Sequence, residues 1–134
     1  MSLDMYAEEL IYRYEHPQNK GKVEGSEATT HEENISCGDK IDVYLKVSYG
    51  KIDEIKFEGN GCVIAMGTAD IVAENLKGKK IEDIEKMGKE DVLKMISIDP
   101  GPVRMHCATL AMRAIKKAIL AYENKPIDTK TKEL

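Results

Sequence analysis

The sequence contains no tryptophan, one phenylalanine and only three cysteines among 134 residues. No apolar run approaches the ~18 residues that a membrane span needs, and the N-terminus lacks the pattern of a secretory signal. Basic residues do not predominate either: 20 Lys and Arg stand against 24 Asp and Glu, a net charge of −4. We therefore expect neither nucleic acid nor a membrane as a partner, because both attract positively charged surfaces.

The odd number of cysteines argues against a disulfide framework. Together with the missing secretory signal, this odd number predicts a reducing, cytoplasmic compartment in which the three thiols stay free.

Alternating apolar and polar residues predict a β-hairpin in the first half of the chain. Residues 41–48 alternate apolar and polar side chains, and Tyr49-Gly50-Lys51 is typical of a turn. Residues 52–58 then form the second strand of the hairpin, with Ile55 and Phe57 on one face. Residues 17–36 are polar and are interpreted as a surface loop with room for one short edge strand.

Helical spacing predicts the remaining elements. The expected helices cover residues 5–15, 63–76, 81–87, 89–96 and 107–123. Strands early in the chain and helices late favour an α+β fold. We expect one domain over 1–134, with a small antiparallel sheet, helices packed on one face and a long C-terminal helix. Flexible ends are expected at about 1–4 and 124–134.

Each cysteine lies where one predicted element meets the next. Cys37 lies in "SCGD" ahead of a strand, Cys62 follows "GNG" and opens a helix, and Cys107 follows His106 at the start of the last helix. A lone free cysteine is often just a buried core residue. Flanking glycines and helix N-termini instead favour exposed, reactive thiolates, because a helix N-terminus lowers the pKa of a thiol.

Asp39 and His106 are the candidate fourth ligands beside the three thiols. Three thiolates with one carboxylate or imidazole can complete a shell for Zn²⁺ or hold one side of an iron–sulfur cluster. The sequence does not choose between the two residues. His106 is poorly placed to deprotonate Cys107, since helical neighbours point about 100° apart, so a Cys/His hydrolase is disfavoured.

Several charged residues have simpler interpretations. Arg104 either orients a thiolate or is one of many solvated basic residues, and both readings stay open. Asp70 is interpreted as a surface residue of the middle helix. The pairs Lys79–Lys80 and Lys116–Lys117 are interpreted as solvated helix faces.

Three motifs resemble the signature blocks of the IscU/NifU-type iron–sulfur cluster assembly scaffolds, a family that includes the NifU N-terminal domain. They are "SCGD" at 36–39, "GNGCVIA" at 59–65 and "VRMHCATLA" at 103–111. The order of the three motifs and the sequence around them also resemble the family, from about residue 5 to about residue 122.

The resemblance implies a non-enzymatic scaffold. Cys37, Cys62 and Cys107 would hold a [2Fe–2S] cluster built from iron and from sulfur supplied by a cysteine desulfurase. Asp39 would match the acidic residue linked to cluster release, and His106 the histidine beside the last cysteine. The cluster would then pass to apo iron–sulfur proteins, either from one protomer or from a homodimer that shares it.

Two features separate this chain from parts of the family. The stretch Asp99-Pro100-Gly101-Pro102-Val103-Arg104 departs from the Leu-Pro-Pro-Val-Lys segment that docks a chaperone, so the resemblance leaves chaperone docking open.

"CATLA" is also similar to the SufU branch, whose members bind zinc and accept sulfur from a desulfurase. That branch carries an insertion between the second and third cysteines, and this chain has no room for it. The scaffold is favoured, with the zinc-bound sulfur acceptor as the alternative.

Overall fold

A computed structural model describes residues 3–134, with side chains from residue 7 onwards. In chain order the elements are α1 (Leu3–Glu15), β1 (Ala28–Asn34), β2 (Asp39–Ser48), β3 (Lys51–Asn60), α2 (Val63–Leu76), α3 (Ile81–Glu85), α4 (Lys89–Ile96), α5 (Met105–Tyr122) and α6 (Thr129–Lys132). None of the helices in this described part is long and apolar enough to cross a bilayer.

The three strands form one antiparallel sheet in the order β1-β2-β3. The predicted hairpin is confirmed, and β2 and β3 pair from Lys40↔Asn60 at one end to Ser48↔Lys51 at the turn. The segment read as a loop contains β1, which pairs along the outer edge of β2. Only Ala28 and Asn34 of its seven residues are buried, so its sequence lacks the apolar alternation that would predict a strand.

The core lies between one face of the sheet and the helices α2 and α5. The buried apolar side chains of β2 come from alternate positions, and those of β3 follow them across a register shift between Lys46 and Val47; together they are Ile41, Val43, Leu45, Val47, Ile52, Ile55 and Phe57. They pack against the buried faces of both helices in one apolar cluster. The α+β class and the long helix near the C-terminus are confirmed.

The N-terminal helix is fixed to α2 by a close approach and a buried carboxylate. A Cβ on Gly67 would lie 2.6 Å from the Leu10 carbonyl oxygen, so only glycine lets the two helices come this near. Asp70 is fully buried; its Oδ1 accepts the amides of Gln18 and Asn19, and its Oδ2 accepts Arg13 Nη1, each at 2.8 Å. The interpretation of Asp70 as a surface residue is therefore wrong, because donors from a distant loop cover it.

A second basic residue is also buried against expectation. Lys116 is 1% exposed, and its Nζ donates to the Met87 carbonyl oxygen at 2.5 Å. Burial lowers the pKa of this ammonium group. The solvated face predicted for Lys116–Lys117 is thus wrong at its first residue.

The C-terminal end folds back onto α5. Asp128 caps α6 by accepting the Thr131 amide at 2.8 Å, and Leu134 is buried beside Arg113, whose Nη1 donates to its carbonyl oxygen at 3.1 Å. The polar sequence of this end suggested fraying, which stays a prediction; in the structure the contacts of Asp128 and Leu134 are the ones that fix its path beside α5.

Candidate metal centre

The connection between β1 and β2 places a carboxylate at the end of the sheet. Asn34 and Asp39 are cross-strand partners, and both side chains are buried on the face that meets α5. The four residues between them turn tightly, with the amides of Cys37 and Gly38 donating to the Asn34 carbonyl oxygen at 3.3 and 2.8 Å. Gly38 has a φ of +75°, a conformation that favours glycine.

Two thiols and one carboxylate converge at this point. One donor atom each from Cys37, Asp39 and Cys107 lies within 4.8 Å of the other two. The Cys107 thiol donates to Cys37 Sγ across 3.4 Å. Cys37 is exposed whereas Asp39 and Cys107 are buried, so the group is open to solvent on the Cys37 side.

The third cysteine lies beside this group and caps a helix. Cys62 is the N-cap of α2, and its Sγ accepts the Ala65 amide at 3.4 Å. Its own backbone amide donates to Asp39 Oδ1 at 3.0 Å. A Cβ on Gly61 would lie 2.6 Å from that same Oδ1. The "GNG" sequence therefore lets the start of α2 come close enough to orient the carboxylate.

Asn34 is a site residue that the sequence did not suggest. Its Nδ2 donates to Asp39 Oδ2 and to Cys107 Sγ, both at 3.3 Å. The residue looked like an ordinary polar loop position. Only the pairing of β1 with β2, which is a long-range property, brings it to the two donors.

The two basic residues predicted near the site are both exposed. Arg104 precedes α5 and makes no side-chain capping bond, and His106 is exposed. Among the residues that the structure describes, the three-donor group does not include His106. The geometry thus places Asp39, rather than the imidazole, beside the converging thiols.

The expected low pKa of Cys107 is contradicted. Burial is the largest cause that raises the pKa of this thiol, followed by its hydrogen bonds with Asp39 and Cys37. The positive end of the α5 dipole does not offset desolvation at a side chain with no exposed surface.

The donor set fits a thiophilic metal. Thiolates bind Zn²⁺ and iron–sulfur clusters, and a carboxylate is a harder oxygen ligand for the same ions. Because a cation neutralises thiolates, loading would favour the deprotonated form of the buried thiol. The arrangement can therefore hold a soft metal or cluster at an opening on the protein surface.

Known proteins with similar sequences are named as iron–sulfur cluster assembly scaffolds or as a zinc-dependent sulfurtransferase. The chain is 36% identical over 132 residues to the iron–sulfur cluster assembly scaffold protein IscU 1 of Archaeoglobus fulgidus, covering 97% of this chain and 85% of that protein. It is 31% identical to the scaffold protein IscU of Escherichia coli, covering 90% and 95%. It is also 30% identical to the zinc-dependent sulfurtransferase SufU of Bacillus subtilis, covering 89% and 92%.

Solved structures share the fold. The N-terminal part of a NifU-like protein from Brucella abortus superposes with a TM-score of 0.74 at 18% identity, covering 92% of this chain and 97% of that one. FiSufU from Fervidobacterium islandicum AW-1 gives 0.73 at 23% identity, covering 88% and 99%. The family model described as the NifU-like N terminal domain matches residues 5–129. The resemblance of the three cysteine motifs is thereby confirmed, and the chain belongs to the NifU-like N-terminal domain family.

Proposed function

We propose that this protein is a scaffold on which a [2Fe–2S] cluster is assembled and from which it is passed to apo iron–sulfur proteins. The observation that carries the proposal is the convergence of Cys37, Asp39 and Cys107 within 4.8 Å at an open edge of the fold. The IscU relatives, which are iron–sulfur cluster assembly scaffolds by name, support the same conclusion.

The mixed donor set suits a cargo that has to leave. Cys37, Cys62 and Cys107 would grip the cluster as thiolates, and Asp39 would be the harder, weaker ligand through which it is released. His106 would be an alternative fourth ligand from the exposed start of α5. The backbone bond from Cys62 to Asp39 links the third thiol to the carboxylate before any cargo arrives.

Sulfur would enter at the exposed thiol. A thiolate of Cys37 would attack the terminal sulfur of the persulfide on a cysteine desulfurase; the new S–S bond forms as the old one breaks, and the desulfurase cysteine leaves as a thiolate. Cys107 has no exposed surface, so Cys37 is the more accessible acceptor. Mass spectrometry after brief mixing with a loaded desulfurase should find one added sulfur atom on Cys37; addition at Cys107 instead would contradict this entry point.

The test is anaerobic reconstitution with ferrous iron, cysteine and a cysteine desulfurase. The protein should develop sulfur-to-iron charge-transfer absorption with iron and sulfide in equal amounts. Asp39→Ala should keep its cluster longer than the wild type when a chelator or an apo-acceptor is added, because the labile oxygen ligand is gone. The matched control is Asp53→Ala, which removes an exposed carboxylate at the other end of the hairpin.

Two results would contradict the assignment. A protein that remains colourless under these conditions would exclude the scaffold. A cluster lifetime that is the same in Asp39→Ala, Asp53→Ala and the wild type would remove Asp39 from the release step.

A zinc-bound sulfur acceptor is the second candidate. The specific observation in its favour is the 30% identity to a zinc-dependent sulfurtransferase, since two thiolates and a carboxylate suit Zn²⁺ as well as a cluster. A protein that retains one zinc, stays colourless and still accelerates the desulfurase would favour this function. No acceleration and no cluster would exclude both.

A further inference from the structure

Asn34 contacts every member of the three-donor group. Its carbonyl oxygen accepts the Cys37 amide at 3.3 Å, and its side-chain nitrogen donates to Asp39 Oδ2 and Cys107 Sγ at 3.3 Å. The side chain is only 7% exposed. No described residue outside the three-donor group joins the loop that carries Cys37, the strand that carries Asp39 and the helix that carries Cys107 through hydrogen bonds of its own.

The chemistry of the neighbours determines which way the amide points. An ionised carboxylate accepts hydrogen bonds only, and a thiolate sulfur does the same. The NH₂ group of Asn34 has two hydrogens, which is the number needed for these two acceptors. An oxygen in that place would face two negative charges once the thiols are deprotonated.

The bond to sulfur should strengthen when cargo binds. A hydrogen bond to a charged acceptor is stronger than one to a neutral acceptor, so the thiolate of loaded Cys107 is held more firmly than the thiol. A donor on a metal-bound sulfur also lowers the energy of its lone pairs, and hydrogen bonds to sulfur are one means by which proteins tune such centres.

From this geometry we propose that Asn34 is the positioning residue of the centre. Its side-chain amide aims Cys107 Sγ and Asp39 Oδ2 at one metal and withdraws electron density from the sulfur. The inference rests on the proposed function, because it assumes that these donors bind metal.

Binding of Co²⁺, followed by the sulfur-to-cobalt charge-transfer band, tests the proposal without a desulfurase or an acceptor. Asn34→Leu keeps the backbone carbonyl bonds and a similar volume but removes both donors. We expect its Co²⁺ affinity to fall about tenfold, and its charge-transfer band to move to lower energy as the sulfur lone pairs rise. Asn34→Gln, which retains an amide, should return the band towards the wild-type position.

The matched control is Asn75→Leu. Asn75 is exposed near the C-terminal end of α2, and its Nδ2 donates to the Ile71 carbonyl oxygen at 2.8 Å, so the change removes the same amide group away from the three donors. Neither the affinity nor the band should change in this variant. If Asn34→Leu does not fold, as judged by circular dichroism, Asn34→Ala takes its place because it cannot overpack the site.

The outcomes separate the two levels of inference. An unchanged affinity and band in the Asn34 variants would overturn the proposal, and so would a weaker affinity with an unmoved band, which would indicate packing alone. A wild-type protein without any sulfur-to-cobalt band would instead contradict the proposed function itself.

Discussion

Gly61→Ala is expected to disturb the centre without removing any of its ligands. An added Cβ would lie 2.6 Å from Asp39 Oδ1 and 3.1 Å from both Cβ and Cγ of the same residue. Ordinary contacts begin at 3.4 Å, so the carboxylate has to retreat by roughly 0.8 Å or the start of α2 has to move. The φ of Gly61 is not positive, so the effect is steric and does not arise from backbone strain.

The size of the effect follows from what the carboxylate contacts. Forcing an extra methyl group into a packed site costs about 1–3 kcal/mol. For a domain of this size, that corresponds to a fall in Tm of roughly 4–12 °C. A displaced Asp39 also loses its bond from the Cys62 amide and its position beside the thiols. Misplacing a group that orients metal ligands costs about tenfold or more in affinity.

Thermal unfolding and Co²⁺ titration measure the two parts of this prediction. Gly88→Ala is the matched control for Co²⁺ affinity, because its φ is −146° and its added Cβ would meet nothing closer than 3.9 Å. The wild type is the reference for Tm, since Gly88 is the N-cap of α4 and alanine is a poor N-cap. If Gly61→Ala keeps the wild-type Tm and matches Gly88→Ala in Co²⁺ affinity, the reasoning that the close approach of α2 orients Asp39 is refuted.

Two further predictions concern the buried charged groups. Asp70→Ala should lower the free energy of unfolding by about 3–5 kcal/mol in urea, because Arg13 and two backbone amides lose their buried acceptor; a loss below about 1 kcal/mol would contradict this. Lys116→Met should be as stable as the wild type or more so at neutral pH, since it removes a buried ammonium group. Burial destabilises the charged form of Lys116 in the folded protein, and this lowers its pKa below the unfolded-state value near 10.5. As pH rises towards that value, the folded protein loses the proton first and the penalty disappears. The wild type should therefore gain stability relative to Lys116→Met between neutral pH and about pH 10. A difference that stays constant over that range would show that Lys116 does not titrate as a buried group.

Local signals account for the elements that the sequence predicted well. The alternation at 41–47 and the helical pattern bounded by "GNG" and Gly78 give β2 and α2, and the observed helix Val63–Leu76 has the predicted bounds. These elements depend on their own side chains for burial, so their period is visible in the sequence. Strand β1 depends on its pairing with β2, and Ala28 is the one apolar residue among its seven, so its sequence carries no such period.

Long-range contacts explain what the sequence missed around the site. Asp70 looked like a surface helix residue because its donors at Gln18 and Asn19 lie 52 and 51 positions earlier in the chain. Asn34 is likewise revealed only by register, through its partner Asp39. The three cysteine motifs were visible because each cysteine lies where two predicted elements meet and two of them, Cys37 and Cys62, are next to glycine, but local patterns could not show that Cys107 is buried and Cys37 exposed.

The clustered donors lie far apart along the chain, so binding of a metal or cluster is coupled to folding. Cys107 meets Cys37 across 70 positions and Asn34 across 73, so the donor set exists only when the whole domain is folded. A ligand that binds the folded chain alone adds to its stability by mass action, about 2.7 kcal/mol at a free concentration of one hundred times its dissociation constant. If the protein hands a cargo to an acceptor, as proposed, this added stability would be lost, and the empty protein would open more often to proteases than the loaded one.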